Sequence, residues 1–133
     1  MPQRVQRRHT TGWSAPRDPH GRRPRYVGRG TRYGNPWTVV RTHTLTGWAV
    51  QWAGHTTQHI PHGLKDHVPA NDQADAHRLA VELFENWVHG LPQLLDRART
   101  ELAGRDLMCW CAPELACHAD TWLTLTNPER TTP

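Results

Sequence analysis

The residues best equipped for chemistry lie in one short stretch, Asp106-Leu-Met-Cys-Trp-Cys-Ala-Pro-Glu-Leu-Ala-Cys-His-Ala-Asp120. It holds all three cysteines of the chain (Cys109, Cys111 and Cys117) together with His118, Glu114 and Asp120. An apolar run that breaks at Ala112-Pro113 and restarts as Cys117-His118 reads as strand, tight loop and helix start. Open α/β sheets place ligands at such junctions, beyond the carboxyl ends of their strands.

Two chemistries suit this cluster. Three thiolates and an imidazole (Cys109, Cys111, Cys117 and His118) could surround a zinc ion. The C-x-C spacing opposes this on a regular strand, because two residues of rise separate the sulfurs by roughly 6–7 Å. The strand would have to break for the thiols to converge. Alternatively the thiols carry no metal. Cys111 or Cys117 is then a nucleophile beside a helix N-terminus that favours the thiolate, with His118 and Asp120 as proton carriers. Cys109 reads as a small buried core residue in that case.

A second candidate is the loop Gly28-Arg-Gly-Thr-Arg-Tyr-Gly-Asn-Pro36. Glycine-rich backbone with arginines after a strand can cradle phosphates or carboxylates. Arg29, Gly30, Tyr33, Gly34 and Asn35 are its expected ligand-binding members. It is neither a dinucleotide fingerprint nor a P-loop, since no helix opens on the glycines and no Gly-Lys-Ser/Thr follows. A purely structural turn accounts for it equally well. The histidines His55, His59, His62 and His67 fall in a segment with Gly54, Pro61 and Gly63, so they read as solvated loop residues.

The elements that must position these groups follow from pattern. Residues 1–24 are rich in Arg, Pro and Gly without apolar period, and read as a disordered arm. Short strands are expected at Arg25–Val27, Trp37–Val40 and Gly47–Trp52, with Thr46-Gly47 turning a hairpin. Residues 54–69 read as a polar loop. Asn71 or Asp72 caps a helix of about eighteen residues, whose stripe Ala76, Ala80, Leu83, Phe84, Trp87 and Leu91 repeats at three and four. Gly90 ends it, Pro92 opens a second helix, and Gly104 stops that one. A strand from Leu107 to Cys111 and a helix from Cys117 to Thr126 complete the order. The expected fold is a small single α/β domain over residues 25–127, loosely Rossmann-like, with a mixed sheet of about four strands and three helices. Residues 128–133 form a loose tail.

Bulk properties narrow the function. At 133 residues there is room for one core. Nothing approaches the ~18 apolar residues of a membrane span, and no secretory signal is present. Three clustered cysteines disfavour a secreted disulfide framework, so a cytoplasmic location is expected. Charge is uneven: ten arginines and one acid lie up to Arg41, against six basic and eleven acidic residues after it. A cationic front suggests contact with nucleic acid, or else a solvated arm.

Three motifs carry a family resemblance. Tyr26-Val-Gly-Arg with Tyr33-Gly-Asn-Pro-Trp37, then Leu83-Phe-Glu-Asn-Trp-Val88, then Gly104-Arg-Asp-Leu-Met-Cys-Trp-Cys-Ala-Pro113 with Cys117-His-Ala-Asp120, resemble the family called domain of unknown function 4326. The resemblance covers roughly residues 25–127 and leaves the basic arm outside. It implies an actinobacterial or phage protein, hence a bacterial host cell, and one small domain whose end motifs meet. It favours a site drawn from Arg29, Gly34, Asn35, Cys111, Cys117, His118 and Asp120, without supplying a reaction. The leading expectation is a nucleotide or nucleoside-type phosphate ligand between the two motifs. The alternative is a nucleic-acid-binding accessory protein with a basic arm and a structural, zinc-capable Cys/His cluster.

Overall fold

A computed structural model describes residues 1–43, 45–54 and 67–128. The expected small α/β domain with three helices is what it contains, but its strands divide between two three-stranded sheets. The first joins β1 (Arg4–Gln6), β6 (Leu107–Cys109) and β2 (Arg25–Tyr26), all parallel, with β6 in the middle. The second is an antiparallel meander of β3 (Trp37–Arg41), β4 (Trp48–Trp52) and β5 (His67–Ala70).

The first sheet corrects the expectation of a disordered arm. Arg4–Gln6 aligns with Leu107–Cys109. Leu107 N–H donates to the Gln3 carbonyl at 3.1 Å, and Arg7 N–H donates to the Cys109 carbonyl at 2.7 Å. The Asp106 carboxylate adds a bond from Gln3 N–H at 3.0 Å. None of this is visible as periodicity. An Arg-Val-Gln strand gains its order from backbone pairing with a partner about a hundred residues away.

The second sheet follows more local rules. β3 and β4 are rich in Val and Trp, and Gly47 at φ 76° supplies the left-handed turn residue between them. Trp37 and Trp52 lie opposite each other in the ladder, their rings edge-on at 4.7 Å. β5 falls where a loop was expected. Its Pro69 is tolerated because β5 is an edge strand that pairs with β4 alone. The loop histidines His55, His59 and His62 lie outside the described residues, while His67 begins β5.

The helices match their sequence signals. In α1 (Gln73–His89) the Asp72 side chain accepts from Asp75 N–H at 2.8 Å. Ala76, Ala80, Phe84, Trp87 and Val88 are its buried stripe. α2 (Pro92–Glu101) starts on its proline, and α3 (His118–Thr126) starts after Cys117. α1 is the hub. It packs on α2, α3 and all three strands of the antiparallel sheet. The core gathers Phe84 and Val88 from α1, Trp122 and Leu123 from α3, Leu107 from β6, and Val27, Tyr33 and Leu102 from the connections. Phe84 and Trp122 meet edge-on at 5.5 Å.

Deleting residues 1–9 therefore removes a sheet strand, not a tail. We expect a loss of at least ~2 kcal/mol, seen as a fall in Tm of roughly 8 °C or more. An unchanged melting curve would show that β1 contributes nothing.

Candidate functional site

The cysteine cluster is built by the end of β6. That strand stops at Cys109, and Trp110-Cys111 turns away from it. The chain then folds back to Cys117, which holds the extended N-cap position of α3 (φ −145°, ψ 143°). The strand break that convergence of the thiols demands is thus present. All three sulfurs lie within 4.8 Å of one another, and Cys117 Sγ is 3.1 Å from Cys109 Sγ. Cys109 and Cys117 are buried and Cys111 is half-buried.

Arg4 holds the loop in this shape. Its guanidinium donates to the carbonyls of Leu115 (3.0 Å), Ala112 (3.3 Å) and Pro113 (2.6 Å), and pairs with the Asp120 carboxylate at 3.1 Å. A residue expected in a free arm is therefore the internal scaffold of the site. Arginine suits this task because its five N–H groups fan out in one plane toward several acceptors.

The electrostatics of the cluster are collective. Hydrogen bonds from the Cys111 and then the Cys117 thiols hold the Cys109 thiol well below its ordinary value. Cys111 is pushed up, first by its bond to Cys109, then by the one to Cys117 and by burial. Bonds donated toward Cys109 thus favour the thiolate at that sulfur. These three close cysteines can hold a metal ion. Tetrahedral zinc at ~2.3 Å from each sulfur needs sulfur separations of about 3.8 Å, which lies between the 3.1 Å of Cys109 and Cys117 and the 4.8 Å that bounds all three.

His118 lies beside this cluster, not within it. A carbonyl can only accept, so the 2.7 Å contact to the Val27 oxygen fixes Nε2 as a donor. The ring meets Phe84 edge-on at 5.3 Å, and Nδ1 is 3.7 Å from Cys117 Sγ. Asp120 stands on the other side of Cys117. It borders a separate hollow of about 430 Å³ with Glu85, His89 and Thr121, and faces Arg4.

The thiols form one wall of a cleft of about 760 Å³. Gly28, Arg29, Gly30 and Asn35 line the same cleft. Arg29 extends along the cleft and donates to Thr38 Oγ1 at 2.8 Å. Gly30 has φ 93°, a conformation that side chains disfavour. The two sequence motifs thus border one space.

Three expected ligand residues have structural work instead. Tyr33 is buried. Its hydroxyl donates to Glu101 at 2.5 Å, and burial followed by that bond pushes its phenol up to about 12. Gly34 sits so close to the chain that a Cβ would come 2.8 Å from the Gly28 carbonyl oxygen. Asn35 borders the cleft, but its amide donates to the Ala80 carbonyl at 3.0 Å and accepts from Trp37 N–H at 2.9 Å.

Other lining residues come from elements that looked purely structural. Gln73, His77 and Val81 project from α1 at intervals of four, along the edge of its apolar stripe. Burial holds the His77 imidazole below its ordinary value, partly offset by a bond to the Ala116 backbone. Tyr26, Trp37, Trp48 and Trp110 provide aromatic surface. Trp110 is 38% exposed, with His9 stacked on it at 4.2 Å and the Arg7 guanidinium over both Trp110 (5.0 Å) and Tyr26 (4.9 Å). Helical spacing beside a buried stripe was the one available signal for Gln73 and His77.

Fold and site together define a small α/β domain with a three-thiol cluster at a strand-to-helix junction, opening on a cleft. The chain belongs to the family described as Domain of unknown function (DUF4326), whose pattern matches residues 5–128. That match reaches into the N-terminal segment and so takes in most of β1. No curated protein and no solved structure matches the chain.

Arg4→Ala should loosen the cysteine loop. Charged hydrogen bonds contribute about 1.5–3 kcal/mol each, so a loss of ~2 kcal/mol in local opening is a conservative expectation. Thiol alkylation followed by mass spectrometry should then show Cys117 reacting roughly 30-fold faster than in the wild type. Equal rates in the two proteins would rule out the clamp.

Proposed function

We propose that the cleft binds a nucleotide or nucleoside-type phosphate ligand, and that the three cysteines hold a zinc ion at one end of it. The observation that carries this reading is the lining itself. An arginine and glycine backbone, a set of aromatic rings and a thiol cluster border a single space. Its volume falls within the ~300–1,000 Å³ usual for small-molecule sites. Arg29 and the backbone of Gly28 and Gly30 suit phosphate oxygens. Trp37, Trp48 and Trp110 add aromatic surface to the lining that a planar base can contact. Thiolate-rich sets select zinc and similarly soft ions over magnesium or calcium.

Within this reading the ligand-facing chemistry belongs to Cys109, Cys111 and Cys117, with His118 orienting Cys117. Asp120 supports the loop through Arg4 and takes no part in proton transfer in the cleft. The rival role, a nucleic-acid accessory protein gripping phosphates through a basic arm, draws less support. Two arginines of the arm have partners in the domain, Arg4 with Asp120 and three carbonyls and Arg7 with Tyr26 and Trp110, while Arg22 pairs with Asp18 within the arm and Arg25, just beyond it, pairs with Glu101.

Calorimetry and thermal shift with a panel of nucleotides and nucleosides test the proposal. At least one should bind, and Arg29→Ala should weaken it tenfold or more (about 1.4 kcal/mol) with little change in stability. Elemental analysis should find one zinc per chain. Absence of binding across the panel, with Arg29→Ala equally inert, would refute the nucleotide reading, whereas a steeply salt-dependent affinity for DNA or RNA that is lost without residues 1–24 would favour its rival.

A further inference from the structure

We infer that a metal ion held by Cys109, Cys111 and Cys117 keeps its fourth coordination position open toward the cleft, where it takes an oxygen atom of water or of the cleft ligand. This rests on the assignment of zinc to the thiol cluster. It distinguishes an exchangeable Lewis-acid centre from a closed structural finger.

The argument begins with the missing fourth donor. Among the described residues, no other His, Cys, Asp or Glu ligand atom lies within 4.8 Å of all three sulfurs. The nearest candidates do not reach the shared centre. His118 Nδ1 approaches Cys117 Sγ at 3.7 Å but is not among the ligand atoms that lie within 4.8 Å of one another. Its Nε2–H bond to the Val27 carbonyl and the edge-on contact with Phe84 hold the ring in that place, at the side of the cluster. His77 is bonded to the Ala116 backbone. The Asp120 carboxylate pairs with Arg4, and that of Asp106 accepts from Gln3 N–H. Glu114 is exposed.

The second observation is direction. All three cysteines border the cleft, so a metal they share sits on its wall. Structural zinc sites close with four protein ligands, whereas catalytic ones keep three and leave the fourth position to water or substrate. Three thiolates around Zn²⁺ also sum to a net charge of −1. Such a centre is a mild Lewis acid, and the Arg4 guanidinium behind the loop offsets its charge. The ligand atom it suits is a neutral or anionic oxygen. Arg29 borders the same cleft and can take a second, anionic group of the ligand.

Cobalt(II) in place of zinc, in the full-length chain, tests this. The cobalt protein should show thiolate charge-transfer absorption and tetrahedral d–d bands. Adding cyanide or azide should shift those bands with a saturable, one-site dependence. Cys111→Ser should lower metal affinity at least 100-fold, and His118→Gln, which keeps a side-chain donor for Val27, should change it less than threefold. Uptake of one cobalt with d–d bands blind to both anions, together with a loss of 30-fold or more in His118→Gln, would establish a closed Cys₃His site and overturn the inference. Failure of the reduced chain to take up cobalt or zinc would overturn the metal assignment with it. Nucleotide binding by the metal-free protein through Arg29 is a separate measurement, so the two failures are distinguishable.

Discussion

The structure depends on how β6 is satisfied. This strand has three residues, and both of its edges need partners. β1 takes one edge and β2 the other, both in parallel register and both from the first 26 residues. The Asp106 and Met108 carbonyls accept from Arg25 and Val27 N–H, and the Cys109 carbonyl accepts from Arg7 N–H. Buried backbone groups without partners are costly, so this strand cannot be buried without the N-terminal segment. Once it is buried, Leu107 enters the core and Cys109 is fixed at the point where the strand must stop.

The site inherits its geometry from that arrangement. β1 lies beside β6, and its first residue, Arg4, reaches the carbonyls of the 111–117 loop and the Asp120 carboxylate. Backbone pairing thus delivers a guanidinium to a loop held internally by the turn from Leu115 N–H to the Ala112 carbonyl, and the guanidinium takes both of those residues' carbonyls. The loop can then bring Cys117 back to within 3.1 Å of Cys109. Two contributions meet here. The ladder sets where the thiols start, and the arginine sets where the return ends. The same parallel pairing sends β2 into the Gly28–Asn35 loop, so both motifs emerge at one end of the sheet and border one cleft.

Charge has a different meaning in the fold than along the chain. Arginines concentrated before residue 41 look like a polyanion-binding arm. Several of them instead meet carbonyls, carboxylates and aromatic rings of the domain. Arg7 lies over Tyr26 and Trp110, and Arg29 reaches Thr38. Among the described residues Arg29 is the one arginine that borders the cleft, which concentrates the anion-binding capacity of the site at one side chain and the glycine backbone around it.

The sequence by itself determined what depends on neighbours within a few positions. The Asp72 cap, the stripe from Ala76 to Trp87, Pro92 at a helix start and the Trp-rich hairpin closed at Gly47 were legible because capping, helical period and turn chemistry are local. The cysteines and the glycine loop were legible as candidates by residue type and spacing. Tertiary structure decided the rest. β1 exists only through pairing with a strand about a hundred residues away and β5 only through pairing with β4, and Tyr33, Gly34 and Asn35 turn inward because the core and the Gly28 carbonyl need them there. Whether Cys-x-Cys could converge rested on where β6 ended, and that was set by β1, β2 and the Arg4 clamp. Local rules place side chains on an element, but which residues share a site is fixed by contacts spanning a hundred residues, for which a single sequence carries no periodic signal.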